Sequence, residues 1–250
     1  MRKFFLTGCF ILPIVVHAQF LQRTDSSGAT GVRIHTEISD TVFDFAFVHL
    51  HANEITALNT VTTFLQKNKG SFVYLQHGGG RNVNFRFQDT LFEFDPNRMF
   101  TGNGRKNFIH PYSEAADSVV ERLAADVLLQ LEPFTAIIAV HNNTSSNYSI
   151  KSYCEGGIYE KEASKVCISR NMDEDDFIFT TDDAVFRRCK KEKINVVLQD
   201  NEHCTDDGSL SVYYANKHIS YINIEAENEH MMEQMTLLRF IYGLVNNMQP

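Results

Sequence analysis

His51-Ala52-Asn53-Glu54 sets an imidazole and a carboxylate three residues apart, and His141 directly follows the apolar run Thr135 to Val140. Two imidazoles and one carboxylate form a zinc-binding set that leaves a fourth position for water, the open arrangement of hydrolytic zinc sites. A further carboxylate, Glu225, follows the apolar run Tyr221-Ile222-Asn223-Ile224. Such a group can take a proton from water, which is the task of a general base. Glu227, on the same strand face two residues later, is the alternative.

These groups meet only if the apolar runs before them are strands of one sheet whose carboxyl ends open on a shared crevice, where open α/β sheets place their ligands. The chain has the required alternation. Val42 to Leu50 reads as a buried strand, and Glu54 to Gln66 as a helix with Ile55, Leu58, Val61 and Leu65 on one face. Ser71 to Leu75 is a second strand, Ser113 to Leu131 a helix with a Ser start, and Thr135 to Val140 a fully apolar strand of the central kind. Later come strands at Phe177 to Thr180, Ile194 to Leu198, Leu210 to Tyr214 and Ile219 to Glu225. Helices are expected from Asp182 to Lys191 and from Glu229 to Val245. Polar Arg23 to Gly31, Gly78-Gly79-Gly80, Asp95-Pro96-Asn97 and the Ser/Asn-rich stretch Asn142 to Gly157 read as lead or loop. The expected fold is α/β, a mixed twisted sheet with helices on both faces.

The 250 residues are enough for one ordinary core, and no repeat or linker divides them. A net charge of −8 without a basic block argues against nucleic acid as a partner. Residues 1–18 read as a secretory signal peptide: Arg2 and Lys3, the apolar Phe4 to Val16, then Val16-His17-Ala18 as cleavage site. That makes residues 19–250 a single exported domain, periplasmic or secreted, with no stable membrane span once the signal is removed. Four cysteines remain, Cys154, Cys167, Cys189 and Cys204, and in an exported chain their even number predicts one or two disulfides.

Taken together, HANE, FDPNRMF (Phe94 to Phe100), a strand ending in His followed by HNNTSSNYS, and a late strand ending in Glu resemble the zinc carboxypeptidase superfamily. The H-x-N-E form and the short intervals look most like its succinylglutamate desuccinylase and aspartoacylase branch. The likeness runs from about Phe43 to Glu227. It implies that His51, Glu54 and His141 bind zinc and that Asn97 and Arg98 hold a substrate carboxylate, to which the planar guanidinium of Arg is suited. It also implies an upstream arginine that polarises the scissile carbonyl, for which Arg81 and Arg86 are both candidates, and a place near the substrate for Tyr148. Pro96, where the family often has Leu, and the triglycine before Arg81 depart from the pattern.

The function this implies is zinc-dependent hydrolysis of an amide bond beside a carboxylate-bearing group, of carboxypeptidase or N-acyl-amino-acid deacylase type. The partner is then a small peptide or N-acyl amino acid. A non-catalytic exported protein binding a peptide or carboxylate in the same pocket is the alternative. His49-Leu50-His51 also has the form with which metal-dependent amidohydrolase barrels begin, but too few βα units follow for such a barrel. His77 beside the triglycine and His203-Cys204 read as exposed loop residues, and Met231, Met232 and Met235 as core.

Overall fold

A computed structural model describes residues 21–41, 43–144 and 148–247. The predicted signal peptide and Cys9 lie outside the described residues. In chain order the strands are β1 Leu21–Ser27, β2 Val32–Ile38, β3 Phe45–His49, β4 Ser71–Gln76, β5 Val83–Phe87, β6 Thr90–Phe94, β7 Ile109–His110, β8 Ala136–Asn143, β9 Ala163–Cys167, β10 Phe177–Thr180, β11 Val196–Gln199 and β12 Ser220–Glu227. The helices are α1 Ile55–Leu65, α2 Gly102–Phe108, α3 Glu114–Leu131, α4 Asp183–Lys191, α5 Leu210–Asn216 and α6 Met231–Asn247.

Nine strands form one mixed sheet in the order β1-β2-β4-β3-β8-β12-β10-β11-β9. Its centre, β4-β3-β8-β12, is parallel. Parallel strands are covered on both faces, which explains why β3 is buried at all five positions and why its run shows no polar alternation. On one side Ala46, Val48, Leu50, Ile137, Ala139 and Tyr221 pack against α3 and α5. On the other, Phe45, Phe47, Ile138, Val140, Ile222 and Ile224 pack against α1, α4 and α6. Helices therefore cover both faces of a mixed sheet, as the sequence predicts. The sheet is open, with β1 and β9 at its edges, so it is no barrel.

Two local readings change, and one hairpin lies where the sequence reading assigns no element. Leu210 to Tyr214, expected as a strand, is α5: the Ser209 hydroxyl caps it by accepting from the Val212 amide, and the buried pairs Leu210/Tyr214 and Ser211/Ala215 repeat at helical spacing. The polar lead from Arg23 is mostly strand β1, hydrogen-bonded to β2 across Gly31, whose φ of +67° suits a residue without Cβ. An edge strand needs no apolar run, which is why it escaped notice. The unassigned stretch after the triglycine holds the hairpin β5–β6. Gln88 and Asp89 both take positive φ at its turn, as a type I′ connection requires, and Phe85, Phe92 and Phe94 press into the core.

The expected disulfides are absent: all four described cysteines are free thiols. Cys189 lies inside the apolar layer under α4, Cys167 packs against that same layer, and Cys154 lies against the Ile150 carbonyl. No helix among the described residues is long and apolar enough to cross a membrane.

Candidate metal centre and cleft

β3, β8 and β12 are parallel neighbours, so their carboxyl ends lie on one edge of the sheet, and each delivers one part of the site there. His51 stands just past β3, in a turn closed by the Glu54 amide on the His51 carbonyl (3.0 Å) that aims both side chains inward. His141 is on β8, and β12 sets Glu225 directly beside it in register. The Asn142 side chain accepts from the Ala57 amide (2.7 Å) at the start of α1, and Gln234 of α6 donates to the His141 carbonyl (2.8 Å). Those two bonds tie the His141 end of β8 to both flanking helices.

The ligand atoms of His51, Glu54 and His141 all lie within 4.8 Å of one another, and all three residues are buried. His51 Nδ1 and His141 Nδ1 face each other at 3.2 Å, while Glu54 lies 3.0 Å from the first and 2.8 Å from the second. Two ring nitrogens pointed at each other across a carboxylate need a proton or a cation between them. Atoms about 2.0–2.1 Å from one ion at a near-tetrahedral angle are roughly 3.3 Å apart, close to these separations. The donor set therefore fits a zinc-sized divalent ion.

Behind the first imidazole, His51 Nε2 donates to Asp95 Oδ1 at 2.7 Å. With its proton held there, His51 is left with an Nδ1 lone pair aimed at the ligand position, the carboxylate–histidine arrangement usual behind metal ligands. Asp95, to which the sequence reading assigns no role of its own, belongs to this candidate site. Its signal lay in the same motif, immediately before Pro96-Asn97-Arg98.

Burial alone would lower the pKa of His51, but the charge of Glu54 and hydrogen bonds from Asp95 and Glu54 raise it to about 9. Burial would raise the Asp95 and Glu54 carboxyls, yet the imidazoles opposite hold both well below the usual range. His49, buried under the turn with Nε2 on the Glu54 carbonyl (3.0 Å), is driven by burial down to about 4 and stays neutral. It belongs to the scaffold, not to the ligand group. Burial pushes the Glu225 carboxyl up, with Glu54 adding repulsion and His141 and Arg81 opposing it.

A cleft of about 450 Å³ opens on these groups. Of the candidate residues, Glu54, His141, Glu225, Arg81, Asn97, Arg98 and Tyr148 all line it. Arg81 reaches Glu54 (2.9 Å) and Asp95 (3.4 Å). Arg86 is exposed on β5 opposite Leu91 and does not line the cleft. Glu227 does not line it either; its carboxylate lies 3.5 Å from His230 Nε2. The Asn97 side-chain oxygen accepts from the Leu210 amide (3.2 Å), and the Tyr148 hydroxyl bonds that of Tyr153 at 2.6 Å. His77 Nε2 accepts from the Ala52 amide (3.3 Å), and His203 is exposed beside Asp200. Neither joins the ligand group. Tyr153, Tyr159 and Tyr221 give the cleft an aromatic wall to which the sequence reading assigns no role.

No family model and no curated protein matches the chain. Among solved structures, a provisionally assigned succinylglutamate desuccinylase/aspartoacylase from Shewanella frigidimarina aligns over 88% of this chain and 69% of its own, at 11% identity and a TM-score of 0.39. A provisionally assigned metallopeptidase from Shewanella denitrificans aligns over 86% and 79%, at 11% identity and a TM-score of 0.42. These are similarities of chain path alone.

Proposed function

We propose that this chain is an exported zinc hydrolase that cleaves an amide bond next to a carboxylate-bearing group, in a small peptide or an N-acyl amino acid. The observation that carries this reading is the convergence of His51, Glu54 and His141, the last two in the lining of a cleft that also holds a buried carboxylate and two arginines. A divalent ion held by that set acidifies water and polarises a carbonyl.

The chain's own groups supply the rest. Glu225, beside His141 and raised in pKa by burial, takes a proton from the attacking water and returns it to the leaving nitrogen. Its Oε1 accepts from Asn223 Nδ2 (2.9 Å), which fixes the carboxylate's orientation and leaves Oε2 for the proton. Arg81, half exposed on the loop after the triglycine, is free enough to turn its guanidinium to a developing oxyanion. Asn97 and Arg98 hold the substrate carboxylate, and the tyrosine wall with Phe179 keeps water from the other side.

The test is elemental analysis joined to a hydrolysis panel. Protein purified without chelator should carry about one zinc per chain, and His51→Ala and His141→Ala should lose it; unchanged zinc in both variants would remove the metal centre. Turnover of carboxylate-terminated amides then separates an enzyme from a binding protein of the same shape. Zinc without turnover across peptides and N-acyl amino acids would favour the binding protein.

A further inference from the structure

The arginine assigned above to the substrate carboxylate already faces an anion. Arg98 Nη2 lies 3.4 Å from Asp207 Oδ2, its Nη1 donates to the Asn97 carbonyl (2.9 Å), and the guanidinium sits 5.6 Å over the Phe108 ring. Arg98 and Asp207 both line the cleft, and both are only partly covered.

The pair is built into the fold. Gly208 follows Asp207 with φ +79°, and a Cβ there would meet the Arg98 carbonyl at 2.3 Å and the Gly104 Cα at 2.5 Å. A Cβ on Gly104 would meet Gly208 Cα at 2.3 Å, so the two segments touch backbone to backbone through paired glycines. Asp206 clamps the contact, accepting from Thr101 Oγ1 (2.6 Å) and Asn103 Nδ2 (3.1 Å), and the Phe100 amide donates to the Gly208 carbonyl (3.0 Å). Asp207 Oδ1 is taken by the Ser209 amide (3.0 Å), which leaves Oδ2 with Arg98 alone. Glu162, the other carboxylate on this part of the cleft wall, spends its two oxygens on the Thr205 amide and hydroxyl, each at 2.7 Å.

A ligand that brought only a carboxylate to Arg98 would set a second anion beside Asp207, and like charges that close oppose binding. A ligand with a carboxylate and a cation leaves every charge partnered: carboxylate on Arg98, cation on Asp207. Resting on the reading of the cleft as an amide hydrolase site, we infer that its preferred substrates are acylated diamino acids, in which one nitrogen is acylated and the other is a free, protonated amine beside a free carboxylate. Asp207 is the specificity-determining residue.

The experiment compares ligands with and without a free amine in two ways on the zinc-loaded protein, with hexanoate, a carboxylate that carries no amine, set against lysine and ornithine for binding. Calorimetry measures binding of these free ligands; kinetics compares Nα-acyl-lysine and Nε-acyl-lysine with Nα-acyl-norleucine. The natural protein should favour the amine-bearing member by roughly tenfold or more. In Asp207→Asn, where the amide oxygen can still accept from Ser209, the ratio should collapse toward one, and in Asp207→Glu it should persist, with zinc content the same in all three. Equal or undetectable binding of lysine and hexanoate by the natural protein, or a preference that survives in Asp207→Asn, overturns the inference. Absence of turnover with the binding preference intact sinks the hydrolase reading and leaves Asp207's role standing; turnover without an amine preference does the reverse.

Discussion

Asp95→Asn isolates the charge behind the first metal ligand. Asp95 Oδ1 accepts from both His51 Nε2 (2.7 Å) and the Asn97 amide (2.8 Å), and an Asn oxygen can keep both bonds while the negative charge is lost. Removing such a supporting group typically weakens metal binding about 10–100-fold, or roughly 1.4–2.7 kcal/mol. A second effect opposes it. In the metal-free protein the pKa of His51 is raised to about 9, so at pH 7 the proton must leave before a metal can bind. Two units at about 1.4 kcal/mol each make that cost about 2.7 kcal/mol, comparable with the loss itself.

The sign follows from the raised pKa. The competing proton is fully bound below pH 6.5 and is lost as pH rises through 9. Zinc affinity of the natural protein should therefore climb about tenfold per unit from pH 7 to 9 and then level. Without Asp95 the proton is held less firmly, so the variant's deficit should be small at pH 7 and reach its full 10–100-fold only near pH 9.5. Competition against a chelator, corrected for the chelator's own protonation, measures both curves. Equal affinity of the two proteins at pH 9.5, or a natural-protein curve flat from pH 7 to 9, would refute the assignment of His51 as a ligand supported by Asp95.

Glu225→Gln should lower turnover of a carboxylate-terminated amide by about two to four decades with zinc retained, whereas Glu227→Gln, outside the cleft, should change it little; the reverse pattern in steady-state kinetics would move the base to Glu227. Arg98→Lys keeps a cation but loses the planar fork, so kcat/KM on free acids should fall at least about tenfold while the already poor amidated substrates change little. Gly208→Ala must place a Cβ 2.3 Å from the Arg98 carbonyl at φ +79°, and urea unfolding should show a loss of about 2–4 kcal/mol; a midpoint unchanged from the natural protein would mean that the glycine contact is not as tight as drawn.

The parts of the fold legible in the sequence are those where one physical force decides alone. β3 and β8 are buried on both faces, so their runs are apolar without alternation, and the ends of these strands and of β12, buried from Tyr221 to Ala226, mark the site. The α3 helix announces itself by the Ser113 cap on the Ala116 amide and by Val119, Leu123 and Val127 at helical spacing. Where tertiary context decides, the reading failed. β1 is an edge strand held by its pairing with β2, and α5 is short enough that Leu-Ser-Val-Tyr-Tyr reads equally well with a period of two.

The same division runs through the site. His51, Glu54, His141 and Glu225 were legible because each sits at a strand end, and strand ends are visible in hydrophobicity. Asp207 was not, and Asp95 only as a member of the Phe94 to Phe100 motif, because the contacts of both are made with distant parts of the chain. Asp95 acquires its role from an imidazole 44 residues earlier, through a hairpin that carries Asp95-Pro96-Asn97-Arg98 across to β3. Asp207 acquires its role because two glycines let its loop lie on the segment after Arg98 with no side chain between them. A glycine pair of that kind leaves no trace in hydropathy or helical period, yet it decides which charge Arg98 meets. If specificity for an amine rests on Asp207, then it rests equally on Gly104 and Gly208. A Cβ at either position would push the loop from Arg98 and should weaken the preference for lysine over hexanoate even in molecules that remain folded and zinc-loaded.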